Sequence, residues 1–194
     1  MLLVSLTGVL AADTLTRQVP LSASELLTLE LPSQFRLAVV KESADEFRPA
    51  IRLCVTNGNG SYRVVFKIFA GKLLDSGPQK QEDLDAAVRK MGAVYAAASV
   101  EMTNAVHDLK LPQEGSLGAY GTFTDASLVS VIQPPPDQYR VITVGLVRIG
   151  GYLFTIRGGS GDKHGEDYKA ALGILAGLKV ETKPADDSQP VQQL

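Results

Sequence analysis

Chemistry in this chain would have to come from a few polar residues, and the segment Gly158-Gly-Ser-Gly-Asp-Lys-His-Gly165 is the most suggestive of them. It follows a β-rich run and precedes a helical one, where exposed backbone amides can bind an anion. Lys163 and His164 add positive or titratable character beside that helix start. Gly161, Asp162, Lys163 and His164 are therefore read as part of a binding edge for a carboxylate or a phosphate. The segment lacks the Gly-Lys-Ser/Thr ending of a P-loop and the G-x-G-x-x-G spacing of a dinucleotide fold, so no nucleotide cofactor is implied. The plainer reading is a flexible strand-to-helix connection whose Asp162 helps the helix start.

A second cluster, Tyr120, Phe123, Thr124 and Asp125, surrounds a glycine-bent strand. Tyr120 and Asp125 are kept as candidate ligand-binding residues beside the sheet; the alternative is that Tyr and Phe simply pack under a helix. His107-Asp108 has the composition of half a nucleophilic triad, but neighbours on a strand point to opposite faces. Ser160 lies in Gly159-Ser160-Gly161, which is not a G-x-S-x-G elbow, so no catalytic residue is assigned. One cysteine, Cys54, excludes a disulfide framework and a multi-cysteine metal site; it reads as a small core residue. With only His107 and His164 as histidines, no metal ligand set and no cofactor are assigned.

The chain has 194 residues, of which 45% are hydrophobic and 21% charged, enough for one sizeable core. Its 19 Lys+Arg against 21 Asp+Glu give a net charge of -2, with no basic excess to make nucleic acid a general partner. Leu2 to Ala12 is a short apolar run ending in small residues, too short to span a bilayer as a helix. It reads as an export signal (residues 1–12) cut before Ala12 or Asp13, although a basic start is missing and a true first strand or helix is the competing reading. Residues 13–181 then form one domain, and 182–194 a polar, disordered tail.

Within the domain, Asp13 to Glu30 reads as a lead-in interrupted by Pro20. Strands are expected at 31–40, 51–56 and 61–70, the last two joined by the hairpin signal Asn57-Gly-Asn-Gly60. Leu84, Ala87, Val88, Met91, Val94, Tyr95, Ala98 and Met102 keep helical spacing over 81–102. Short strands at 106–111 and 117–131 lead through Gln133-Pro-Pro-Pro-Asp137 to two strands at 139–149 and 152–157. Gly150-Gly151 is the turn between them. A closing helix from Glu166 places Tyr168, Ala171, Leu172, Leu175 and Leu178 on one face. Leu84, Met91, Tyr95, Leu172, Leu175 and Leu178 are expected against the sheet. The fold class is α+β: a mainly antiparallel central sheet with a helix covering each side, an α/β/α sandwich.

This order resembles the PsbP-like fold, named for an extrinsic photosystem II subunit and found in many small bacterial exported proteins. The likeness rests on Leu31-Pro-Ser-Gln-Phe-Arg-Leu37, the Asn57–Gly60 hairpin, the helix at 81–102, the Arg148-Ile-Gly-Gly-Tyr-Leu-Phe154 hairpin and the closing helix. It covers about residues 30–180 and implies a mostly non-enzymatic assembly or partner-binding role, with no catalytic or metal residues to carry over. The expected function is a periplasmic or secreted binding module for a protein or a small anionic ligand, with a cytoplasmic location as the alternative. The competing functions are a hydrolase or lipid-handling envelope enzyme with dispersed residues, and a purely structural envelope protein. No transmembrane span is expected, and the oligomeric state is not legible.

Overall fold

Gly150 adopts a φ of +56°, a value that a side chain resists, and closes the hairpin between strands β8 (Val141–Ile149) and β9 (Tyr152–Ser160). This computed structural model describes residues 14–41, 49–56, 62–72, 77–135 and 137–183, so the expected signal at 1–12 and the tail beyond 183 lie outside the described residues. Around the hairpin a seven-stranded sheet assembles from β3 (Arg36–Lys41), β4 (Pro49–Thr56), β5 (Tyr62–Lys72), β6 (His107–Asp108) and β7 (Leu117–Thr124). Its order is β3-β4-β5-β9-β8-β7-β6, and every neighbouring pair is antiparallel. β9 is the seam: it joins the β3–β5 meander to the β6–β8 meander.

Helices α1 (Gln81–Ala96) and α2 (Glu166–Ala176) lie on opposite faces of this sheet. Alternation along β8 shows it. Thr143 bonds Tyr168 of α2, whereas its neighbour Val144, and Leu146 beyond, pack in clusters with Ala96, Leu84 and Val88 of α1. The chain is thus broadly α+β, as its patterning implies.

The covering layers differ from the expectation. Residues read as a lead-in form β1 (Thr14–Pro20) and most of β2 (Glu25–Pro32), which pair with each other and with β10 (Lys179–Thr182) in a second sheet of order β1-β2-β10. The single strand expected at 31–40 is divided by a turn at 33–34 between β2 and β3 of the two sheets. Leu27, Leu29 and Leu31 alternate along β2 and enter the main core beside Phe66, Ile68, Phe154, Ile156, Tyr168 and Leu175. One face of the large sheet is therefore covered by α2 together with this small sheet, and the other by α1. Pro20 is tolerated because it ends an edge strand. β2 and the segment around β10 are tied here: Thr28 donates to Glu181 at 2.7 Å and the Lys183 amide to the Ser24 carbonyl at 2.7 Å.

Other elements are shorter than their hydrophobic periods suggest. α1 stops at Ala96 and not at Met102: the Ser99 hydroxyl bonds the Ala96 carbonyl, and Met102 takes a φ of +50°. β7 stops at Thr124, with 125–130 forming turns. Conversely, the segment read as a flexible loop is strand as far as Ser160. Gly158 and Gly159 are there for space. A Cβ on Gly158 would lie 2.5 Å from the Phe66 ring, and one on Gly159 2.4 Å from the Tyr139 ring. Of the residues expected against the sheet, Leu84, Leu175 and Leu178 are fully buried; Met91, Tyr95 and Leu172 are half-buried. Cys54 is free and buried, and that burial raises its thiol pKa against the opposing pull of Arg52 and Arg36.

Candidate functional site

Three turns meet at one end of the large sheet, and hydrogen bonds join them. After β7, the Asp125 carboxylate accepts from the Ser127 amide at 2.9 Å and the Ser127 hydroxyl at 2.6 Å, an Asx turn that starts the 125–132 segment. The Arg140 guanidinium then ties that segment down, donating to the carbonyls of Leu128 (3.3 Å), Val131 and Ile132 (2.9 Å). The 97–102 turn after α1 attaches to it through Ala126 amide to Ala98 carbonyl (3.1 Å) and Val100 amide to Thr124 carbonyl (2.8 Å). The third turn, 161–165, leads from β9 into α2; there Asp162 accepts from the His164 amide at 2.8 Å.

Glu101 holds the three together. Its carboxylate accepts from the Thr124 amide (2.9 Å), the Thr124 hydroxyl (2.6 Å) and the Lys163 ammonium (2.6 Å). Partial burial opposes the carboxylate's charge, but Lys163 and the two Thr124 donors outweigh it and hold the pKa at about 2. So weak a base cannot draw a proton from Thr124 at neutral pH, and the trio works as a tie. Because the folded pKa lies below the ordinary 4.5, the ionised carboxylate stabilises the fold above about pH 4.5, and that contribution is lost as pH falls towards 2. Urea melts of the wild type and Glu101→Gln should differ most near pH 6 and converge by about pH 2. A gap that stays constant across that window would show that ionised Glu101 does not contribute.

The candidate residues sort as follows. Gly161, Asp162, Lys163 and His164 sit on the third turn, with Asp125 on the first, so the structure brings these five to one end. Lys163 already has an anion in Glu101, and the Asp162 side chain is occupied within its own turn. Tyr120 lies four residues back along β7, on the α2-facing row Tyr120, Thr122, Thr124. In that row the Tyr168 hydroxyl bonds Thr122 at 2.7 Å and Thr143 at 2.8 Å, and the His107 ring stands 5.4 Å from the Tyr120 ring. Burial pushes the Tyr120 and Tyr168 phenols up, so both stay neutral donors. Among the described residues no three His, Cys, Asp or Glu side chains gather as a metal ion requires.

Sequence reasoning missed what these turns display. Among the described residues seven large hydrophobics are exposed, and five of them, Val94, Val100, Met102, Val129 and Ile132, fall on the end of α1 or on these turns. Met102 is 81% exposed and Ile132 96%. The spacing of Val94 and Met102 points to core, and Val129 falls within the strand expected at 117–131. The exposure of Val100, Met102, Val129 and Ile132 follows from where α1 and β7 end, which hydrophobic periodicity does not carry, and Val94 lies within α1 on its solvent side.

Comparison of the chain with family models, with curated proteins and with solved structures found no match. No helix of the described residues is long and apolar enough to cross a membrane.

Proposed function

We propose that this chain is a non-enzymatic binding module that docks a protein partner through the end built from the 97–102, 125–132 and 161–165 turns. The observation that carries the reading is the concentration of exposed apolar side chains on turns held in place by Glu101 and Arg140. Exposed hydrophobics carried on adjoining turns favour a protein contact, and rigid turns lose little entropy on binding. The protein reading is preferred to a small anion because the ammonium nearest to the loop amides, Lys163, is already neutralised by Glu101. Export to the envelope or beyond rests on the run Leu2 to Ala12, and the PsbP-like sandwich on element order from 30 to 180.

A photo-reactive residue placed singly at Met102, Ile132 or Leu15 in the full chain, activated in cells of the native host, tests it. Leu15 is a control, exposed but on β1 of the small sheet. Adducts are expected at Met102 and Ile132 and not at Leu15. With the photo-reactive residue at Val129, on the same turn as Ile132, Met102→Asp with Ile132→Asp should abolish the adduct and weaken the captured partner about tenfold or more, without lowering Tm. Equal labelling at Leu15, or none at the turns, contradicts the reading.

A further inference from the structure

We infer that two copies of this chain pair through the outward face of α1, antiparallel and crossing at Ala86, with Glu82 and Asp83 of each copy against Lys90 and Arg89 of the other. The side of α1 away from its buried row of Leu84, Val88, Gly92 and Ala96 carries Glu82, Asp83, Ala86, Arg89 and Lys90, all of them exposed. Charge along this face changes sign at Ala86. Glu82 and Lys90 stand four residues to either side of it, Asp83 and Arg89 three. A two-fold axis through Ala86 therefore brings each acid onto a base of the second copy, the self-complementarity that a symmetric dimer demands. A parallel pair in register would set Glu82 against Glu82 and Lys90 against Lys90, so the signs select the antiparallel sense.

Helix physics accounts for only half of this pattern. Acids in the first turn answer the positive end of the helix dipole. Bases placed for the same reason would sit in the last turn, which has none; Arg89 and Lys90 lie mid-helix. The positions three and four away from Lys90 are Ala86, Ala87, Ala93 and Val94, so its own helix face offers it no acid. Glu82 is about 12 Å along the axis from it, too far for contact within one copy. Arg89 has Asp85 at helical spacing, a carboxylate that accepts from the Gln81 amide group at 2.8 Å. Glu82 with Lys90 is thus the leading pair and Asp83 with Arg89 the lesser one. Ala86 suits the crossing point, because a methyl group lets two helix axes approach to about 8 Å with Glu82 and Lys90 about 6 Å to either side. α1 packs chiefly on β7 and β8 and stands about 10 Å above the sheet, so its crest is what a second copy meets first. A net charge of -2 sets little repulsion between copies. One helix face per copy is a small interface, so the dimer is transient and its charges govern specificity and salt dependence.

Sedimentation velocity on the full chain, at rising concentration and low salt, tests it. A reversible dimer is expected that weakens about tenfold between low and physiological salt. On dilution the amides of 81–93 should shift while those of 125–132 stay still. Lys90→Glu and Glu82→Lys should each weaken self-association about tenfold, since each sets like charges across the axis twice. Mixed in equal amounts, the two variants should form a heterodimer about as tight as the wild-type dimer, because every reversed charge then meets its opposite. Should Glu82→Lys fray the first turn, Ala86→Lys in mid-helix should still weaken the dimer about tenfold with Tm unchanged. A chain that stays monomeric at low salt and millimolar concentration, a dimer indifferent to salt, a mixture no tighter than its separate components, or shifts confined to the turns overturns the proposal.

Discussion

Leu175→Ala lowers the unfolding free energy by about 2–5 kcal/mol, the ordinary penalty for truncating a leucine that leaves a cavity behind. Leu175 is 1% exposed, in the core where α2 meets both sheets. Strands on two sides are fixed by their own hydrogen-bond ladders, so the site collapses poorly and the cost should lie towards the upper end. Denaturant melts measure it. A loss below about 0.5 kcal/mol, the size of a surface effect, would mean that α2 does not seal this core.

The second large effect is expected at a glycine. Gly159→Ala should cost about 1–3 kcal/mol, because the new methyl group meets the Tyr139 ring at 2.4 Å in a strand held on both sides. Tyr139→Ala in the same chain should recover part of that loss, making the double variant more stable than the two single effects added together. Strict additivity would place the ring elsewhere and show that the glycine serves chain flexibility.

These two positions also show what was legible in the sequence. Leu175 could be placed because α2 keeps its apolar residues on one face, and the β8–β9 and β4–β5 pairings because hydrophobic runs flank Gly150-Gly151 and Asn57–Gly60, whose residue types favour turns, although 57–60 lie outside the described residues. β1 could not be read. Thr14, Leu15, Thr16, Arg17 and Gln18 are all exposed, so nothing in their alternation marks a buried face. Its partner β2 buries Leu26 to Leu29 in succession, which blurs the two-residue period. β10 spans four residues and exists through its pairing with β2, a contact across the whole chain. The end of α1 was misread because apolar spacing continues past Ala96, into side chains that face solvent.

The candidate site was half legible. Glycines beside Lys163 and His164 marked the third turn, but not its partner: Glu101 and Lys163 are 62 residues apart, and no local pattern records a contact at that separation. Arg140 is similar. A lone arginine after Tyr139 gives no sign that it caps three carbonyls of the preceding turn.

Native-state amide hydrogen exchange on the free, purified chain tests the central claim that the recognition end is preformed. The amides of Val100, Thr124, Asp125 and Ala126 donate respectively to the Thr124 carbonyl, Glu101 carboxylate, Arg140 carbonyl and Ala98 carbonyl. They should exchange nearly as slowly as those of β8 and β9, opening only with most of the molecule, and Glu101→Gln should speed them while β8 stays protected. Fast exchange of these four amides in the wild type, as in a loop ordered only by its partner, would contradict it.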